Sequence, residues 1–249
     1  MALTLEGMLQ SAATLQTPSV WTNVVSSQPE LSLRQMVAAT HAAASPLHGT
    51  GLFASRDVAE GALLTLYPVH AMGDTSWSAT VDDEDSRHFG EVRTRAYRVE
   101  LAHAALPAQD LWIDANPERD HVPGWLGHLA NDVAVCANGD EESILKYYEA
   151  AAAHANAILV PLADAAPLTT LVATRAIAAD EEVTFTYGHD YWVTRGGAKL
   201  PAYTPAVLRA ARVSWKAKQR AHTSRVADAY AHEAAFLEVV LEQLSAREG

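Results

Sequence analysis

The sequence predicts a mainly β protein with helical flanks, an α+β arrangement of several short sheets. Short runs rich in β-branched and aromatic residues recur between Gly- and Pro-containing turns from about residue 50 to residue 187. No alternation of strand with helix runs through them, which disfavours a doubly wound parallel sheet. Helical spacing instead gathers near the two ends of the chain. The expected divisions are an N-terminal helical segment over residues 1–45, a main domain over 46–194 with an insertion at about 133–155, and a helical tail over 195–249.

Composition narrows the class. At 249 residues and 26.7 kDa, with 49% hydrophobic residues, the chain can bury one substantial core with helical attachments. The single Cys136 excludes an internal disulfide and a cysteine-built zinc site. No run approaches ~18 consecutive apolar residues, so no membrane span is expected. The first 33 residues carry no Lys or Arg, so neither a signal peptide nor a transit peptide is expected, and nucleus or cytoplasm is the default location. Residues 1–194 hold 9 Lys/Arg against 25 Asp/Glu, a balance of −16, whereas 195–249 hold 9 against 5, a balance of +4. An acidic main body argues against direct nucleic-acid binding there and suits a basic peptide or a cationic ligand.

In chain order, a helix is expected from Leu31 to Ala44, ended by Pro46. Leu52 to Ser55 and Ala62 to Val69 read as strands joined across the turn Val58-Ala59-Glu60-Gly61. The run Asp82-Asp83-Glu84-Asp85 reads as an exposed loop, because like charges this dense repel and stay in water. Tyr97 to Leu101 and Leu111 to Asp114 form a second strand pair, and Asn156 to Leu162 with Leu168 to Ala176 a third around Ala163 to Pro167. The insertion contains a helix from Glu141 to Ala152. Beyond Thr204 the apolar stripe of Tyr230, Ala234, Leu237, Leu241 and Leu244 is helical.

The chemistry-bearing stretches are His48-Gly49-Thr50-Gly51-Leu52-Phe53-Ala54, Leu126-Gly127-His128-Leu129-Ala130-Asn131-Asp132, and Glu181-Glu182-Val183-Thr184-Phe185-Thr186-Tyr187-Gly188-His189-Asp190-Tyr191-Trp192. The first lacks the third glycine of a dinucleotide fingerprint and the Gly-Lys-Ser/Thr of a phosphate loop. What Gly-x-Gly offers is close backbone approach to a ligand. The third stretch delivers Tyr187 at the end of a strand, just before a glycine at which the chain turns. The histidine spacings match no zinc signature, so no metal is expected. No Gly-x-Ser-x-Gly marks a hydrolase.

In that order, the three stretches resemble the SET-domain protein lysine methyltransferases of the subgroup without cysteine-rich flanks. The resemblance runs from about Gly49 to Trp192. It implies a β-clip fold with a knot-like active site, and S-adenosylmethionine as cofactor held by Gly49, Thr50, Gly51, Leu52, Asn131 and Asp132, with Trp192 over the adenine. Asp132 stands where the family carries His, and Asn156 resembles a second family Asn displaced by the insertion. Tyr187 falls on the catalytic tyrosine, Tyr67 on a second tyrosine lining the lysine channel, and Phe185 on the position that influences how many methyl groups are added. A Phe there leaves room for more than one methyl.

This resemblance implies direct methyl transfer to the side-chain amine of a protein lysine, with a histone tail as substrate. The sequence leaves open whether the Tyr187 hydroxyl orients, polarises or accepts a proton. The rival reading is a catalytically silent SET-like module that binds a peptide or protein partner, its cofactor site altered by Asp132.

Overall fold

The computed structural model describes residues 10, 13, 16, 39–74, 78–91, 96–101, 111–161 and 168–195. Three sheets of short strands make up most of it. The first has the order β1 (Thr40–Ala44), β2 (Thr50–Ala54), β11 (Glu182–Phe185), β8 (Asn131–Asp132), with β8 and β11 parallel and the other pairs antiparallel. The second is β3 (Leu63–Leu66), β10 (Thr169–Ala173), β9 (Ala157–Pro161), and the third β5 (Ser78–Thr80), β4 (Ala71–Gly73), β7 (Leu111–Asp114), β6 (Arg98–Leu101). Helices α1 (Asp83–Glu91), α2 (Glu141–His154) and α3 (His189–Arg195) accompany them, with a 3-10 turn at Gly127–Leu129. No helix among the described residues is long and apolar enough to cross a membrane.

The first two sheets close on one core containing Leu52, Leu64, Leu129, Leu171, Val183 and Phe185. Every residue of β3 and β10 is buried, so neither strand alternates between an inward and a solvent-facing side. Two of their three threonines are hydrogen-bonded through the side chain: Thr170 Oγ1 donates to Thr65 O at 2.9 Å, and Thr65 Oγ1 accepts from Leu126 N at 2.9 Å, whereas Thr169 Oγ1 is buried with no partner among the described residues. That second bond fixes the start of the segment leading to Asn131. A second core holds Tyr67, Val69, Met72, Leu111 and Ile113 against the third sheet, and Leu159 packs on both cores.

Several local expectations change. Thr40–Ala44 is a strand and not the end of a helix: its five residues pair in register with β2, and that pairing overrides the helical preference of three successive alanines. Strands β2 and β3 do not form a hairpin across residues 58–61. Instead β2 pairs with β1 and β11 while β3 pairs with β10, so the turn carries the chain from one sheet into the next. The strand pairs β6–β7 and β9–β10 form as expected. The stripe from Tyr230 to Leu244, and the tail apart from Arg195, lie outside the described residues, as does the start of the predicted N-terminal helix.

The acidic run also behaves differently. Asp82 caps helix α1, its Oδ1 accepting from Glu84 N at 2.9 Å and Asp85 N at 3.0 Å. Asp83, Glu84 and Asp85 then occupy the first turn, where the helix dipole favours negative charge. Arg119 removes the remaining repulsion by bonding both oxygens of Asp85, at 3.1 and 3.0 Å, with Glu84 at 3.0 Å and Asp82 as further partners. Asp85 is fully buried, and Asn116 Nδ2 also donates to it at 3.0 Å.

Removing the cation while leaving that buried carboxylate is strongly unfavourable. Arg119→Met is expected to lower the unfolding free energy by about 3–5 kcal/mol, read from the urea midpoint. A loss below about 1 kcal/mol would mean that Asn116 suffices for Asp85.

Candidate functional site

The turn after β1 is tied by Ser45. Its N–H donates to Gly49 O at 2.9 Å, and its hydroxyl accepts from Leu47 N and His48 N at 2.9 and 3.2 Å. Gly49 turns the loop with φ of 53°. Asn131, at the start of β8, reaches back to this loop: its Nδ2 donates to His48 O at 3.0 Å, Thr50 O at 3.4 Å and Glu182 Oε1 at 2.9 Å. Ser45 Oγ donates to the same Glu182 oxygen at 2.7 Å. Gly51 lies directly beneath that carboxylate, and a Cβ there would sit 2.5 Å from Glu182 Oε1 and 2.8 Å from Ser45 Cβ. Glycine at this position therefore answers to close approach of side chains.

Parallel pairing of Asn131 with Thr184 and of Asp132 with Phe185 brings the second and third stretches together. Beyond β11 the chain turns at Gly188, with φ of 93°. Tyr187 projects between these segments, and its hydroxyl donates to Ala130 O at 2.8 Å. Asp132 is the hub of the turn. Its Oδ2 accepts from Tyr147 Oη at 2.5 Å, Tyr187 N at 3.0 Å and Trp192 Nε1 at 2.9 Å, and its Oδ1 accepts from Ala134 N at 3.1 Å. Burial pushes the Asp132 carboxyl above its ordinary range, although these four donors pull the other way. The Tyr187 hydroxyl is raised above its ordinary value of 10.0, first by burial and then by Tyr191 and Asp132.

Aromatic rings gather around Tyr187. Phe185 and Tyr191 meet it edge-on at 5.1 and 4.8 Å, and Trp192 lies parallel at 6.1 Å with an interplanar angle of 10°. Tyr67 belongs to the second core. Its hydroxyl donates to Tyr97 O at 2.8 Å, and burial, followed by Asp114 and Tyr187, raises that hydroxyl well above its ordinary value. Leu52 lies wholly in the core beneath the loop. Asn156 acts as part of the sheet, its Nδ2 donating to Glu182 O at 2.8 Å and its Oδ1 accepting from Thr184 N at 2.8 Å.

His128, whose place in a loop suggests a hydrogen bond there, has no side-chain hydrogen bond among the described residues. It is buried against Tyr67, Tyr97 and His121, its Nδ1 has no partner among the described residues, and burial lowers its pKa to about 3. Among the described residues no three His, Cys, Asp or Glu side chains are placed to hold a metal ion.

Sequence reasoning missed Glu182 and Tyr147. Glu182 had a usable signal in its place within the third stretch, one residue before the alternating strand. Tyr147 had none, because it comes from the insertion, whose position relative to the site only the folded chain defines.

The sequence matches no protein-family model and no curated protein. Among solved structures the chain is similar to the crystal structure of CpSET8 from Cryptosporidium, at 15% identity and a TM-score of 0.38. The match covers 63% of this chain and 60% of that one, so the chain spans about three fifths of the structure it matches.

Gly51→Ala is expected to cost about 1–3 kcal/mol of stability in urea unfolding. Adding Glu182→Ala should recover part of that loss. A double variant no more stable than Gly51→Ala would show that the Glu182 carboxylate is not what fills the space above residue 51.

Proposed function

We propose that this chain is an S-adenosylmethionine-dependent protein lysine N-methyltransferase acting on a lysine of a histone tail. The observation that supports this most is convergence. Three stretches far apart in sequence meet through the Asn131 amide, the parallel pairing of β8 with β11, and the bond from the Tyr187 hydroxyl to Ala130 O. The resemblance of those same stretches to the SET-domain enzymes supplies the chemistry.

The donor set suits such a cofactor. Main-chain carbonyls of His48, Thr50 and Ala130 and the carboxylates of Glu182 and Asp132 line these segments, and neither acid is paired with Lys or Arg among the described residues. A phosphate would be repelled here, whereas a cationic ligand with an aromatic base is favoured. Gly49, Thr50 and Gly51 through their backbone, Asn131 through its amide, and Trp192 through its ring would hold it. When bound, S-adenosylmethionine supplies a methyl group on a cationic sulfur, which departs as a neutral thioether when the lysine nitrogen attacks.

The protein's own part is desolvation and alignment. The rings of Tyr67, Phe185, Tyr187 and Tyr191 make a poorly hydrated wall, which lowers the pKa of an entering ammonium so that its proton leaves to water. Held in line, the amine needs no strong base, and alignment is the larger part of what the reaction requires. Because the Tyr187 hydroxyl is raised above its ordinary 10.0 and already donates to Ala130 O, it stays protonated at neutral pH. On this reading it orients the amine and does not accept its proton. Phe185 adds no hydroxyl to the channel, which favours successive methylation.

Calorimetric titration with S-adenosylmethionine is expected to show micromolar binding that Asn131→Ala weakens by about tenfold or more. Tyr187→Phe should lower methyl transfer to a histone-tail peptide by roughly 100-fold, and mass spectrometry should find more than one methyl on the lysine. The wild-type rate should rise with pH and show no decline from Tyr187 ionisation below its ordinary 10.0, since its shift is upward. Absence of cofactor binding by well-folded protein would overturn the reading in favour of a silent peptide-binding module.

A further inference from the structure

We propose that Tyr147, on the inserted helix α2, is a positioning residue for the site and sets both Tyr187 and Trp192 through the carboxylate of Asp132. The reaction it would serve rests on the methyltransferase reading; the arrangement itself does not.

The need arises from the shortness of β11. Its ladder ends at Phe185, where β8 supplies the last paired residue, so Tyr187 and Gly188 have no strand partner for their N–H groups. Asp132 Oδ2 takes the first at 3.0 Å, and the Tyr147 hydroxyl oxygen takes the second at 2.9 Å. The donor and acceptor inventory leaves one assignment. A carboxylate can only accept and an amide N–H can only donate, so the single Tyr147 proton goes to Asp132 and a Tyr147 lone pair receives Gly188. With Trp192 Nε1 as the third donor on the same oxygen, one carboxylate fixes the main chain of Tyr187 and the ring of Trp192 together. The tip of Tyr187 is held separately by Ala130 O.

Tyr147 reaches this position through the register of its helix. Asp140 caps α2, its Oδ1 accepting from Ser143 N at 2.9 Å. Ile144, Tyr147, Tyr148 and Ala151 then follow at helical spacing and are all buried. Ile144, Tyr147 and Tyr148 pack with Cys136 and Val193, and the Tyr148 hydroxyl is hydrogen-bonded to His189 Nδ1 at 2.9 Å. Helix α2 is therefore docked on α3 by apolar contact and by a second hydroxyl, independently of Asp132. Tyr147→Phe deletes only the hydroxyl: Asp132 loses a donor and Gly188 N loses its acceptor, while the ring can still fill its place.

The test compares Tyr147→Phe with Tyr148→Phe, which removes a hydroxyl from the same helix but not the one on Asp132. In amide and indole NMR spectra, Tyr147→Phe is expected to shift the Trp192 indole N–H and to speed exchange of the Tyr187 and Gly188 amides, while Tyr148→Phe leaves these signals near wild type. With S-adenosylmethionine and a histone-tail peptide that the wild type methylates, Tyr147→Phe should lower kcat about 10- to 100-fold with peptide KM within about twofold. If Tyr147→Phe does not fold, 3-fluorotyrosine placed at position 147 and, separately, at position 148 decides. It keeps the ring but weakens the hydroxyl oxygen as an acceptor and strengthens its proton as a donor. Only at position 147 is it expected to shift the Trp192 indole and the Tyr187 and Gly188 amides, and unchanged signals overturn the proposal. A folded Tyr147→Phe with unchanged Trp192, Tyr187 and Gly188 signals overturns the proposal, as does an equal effect from Tyr148→Phe. If the wild type methylates no peptide, the methyltransferase reading fails, and the NMR comparison still decides the role of Tyr147.

Discussion

Backbone pairing along β11 is the interaction on which the other contacts of the site depend. Glu182 and Val183 pair with β2, Thr184 and Phe185 pair with β8, and the Asn156 side chain bonds the strand at Glu182 O and Thr184 N. A strand of four residues thus joins segments that are remote in sequence. Side-chain alternation does the rest: Val183 and Phe185 enter the core, while Glu182 turns to the glycine loop. A slip of one residue would exchange those faces, burying a carboxylate and exposing the core. The core thereby enforces the register that presents Tyr187.

Much of this was legible in advance, and the reasons differ by element. The strands around residues 98–114 and 157–173 were readable because each pair is close in sequence and bounded by turn residues. The Thr40–Ala44 strand was not, since its conformation comes from β2 and not from its own composition. The acidic run was read rightly as exposed at residues 82–84 but wrongly as a loop and as exposed at Asp85, for a related reason: repulsion among Asp82, Glu84 and Asp85 is visible locally, but the guanidinium that offsets it lies more than thirty residues away. Asn131 and Tyr187 were identified through motif context. Glu182, which bonds Asn131, carried a signal through its place in the third stretch, whereas Tyr147, which bonds Asp132 and Gly188, required the folded arrangement.

The site is unusual in how much hydrogen-bonding capacity it satisfies internally. Asp132 receives four donors and Asn131 Nδ2 faces three acceptors, with both residues largely buried. A fully connected network of this kind holds its members in one geometry, while losing any single partner leaves a costly orphan. Aspartate at position 132 makes sense in these terms. A carboxylate gathers several donors onto one oxygen, which an imidazole cannot do.

The packed clusters among the described residues differ in size, and this bears on how that part of the molecule opens. Counting described residues only, the core between the first two sheets has thirteen buried members and shares Leu159 with the seven of the second, whereas the cluster joining α2 to α3 has five. The larger pair forms a cooperative block whose exposure approaches global unfolding, while the helix pair is the unit of lower local stability. Excursions in which α2 lifts away would release the Tyr147 hydroxyl from Asp132 while the sheets stay intact. Amides of α2 should then exchange with solvent through a subglobal opening, and the site would loosen well before the protein melts.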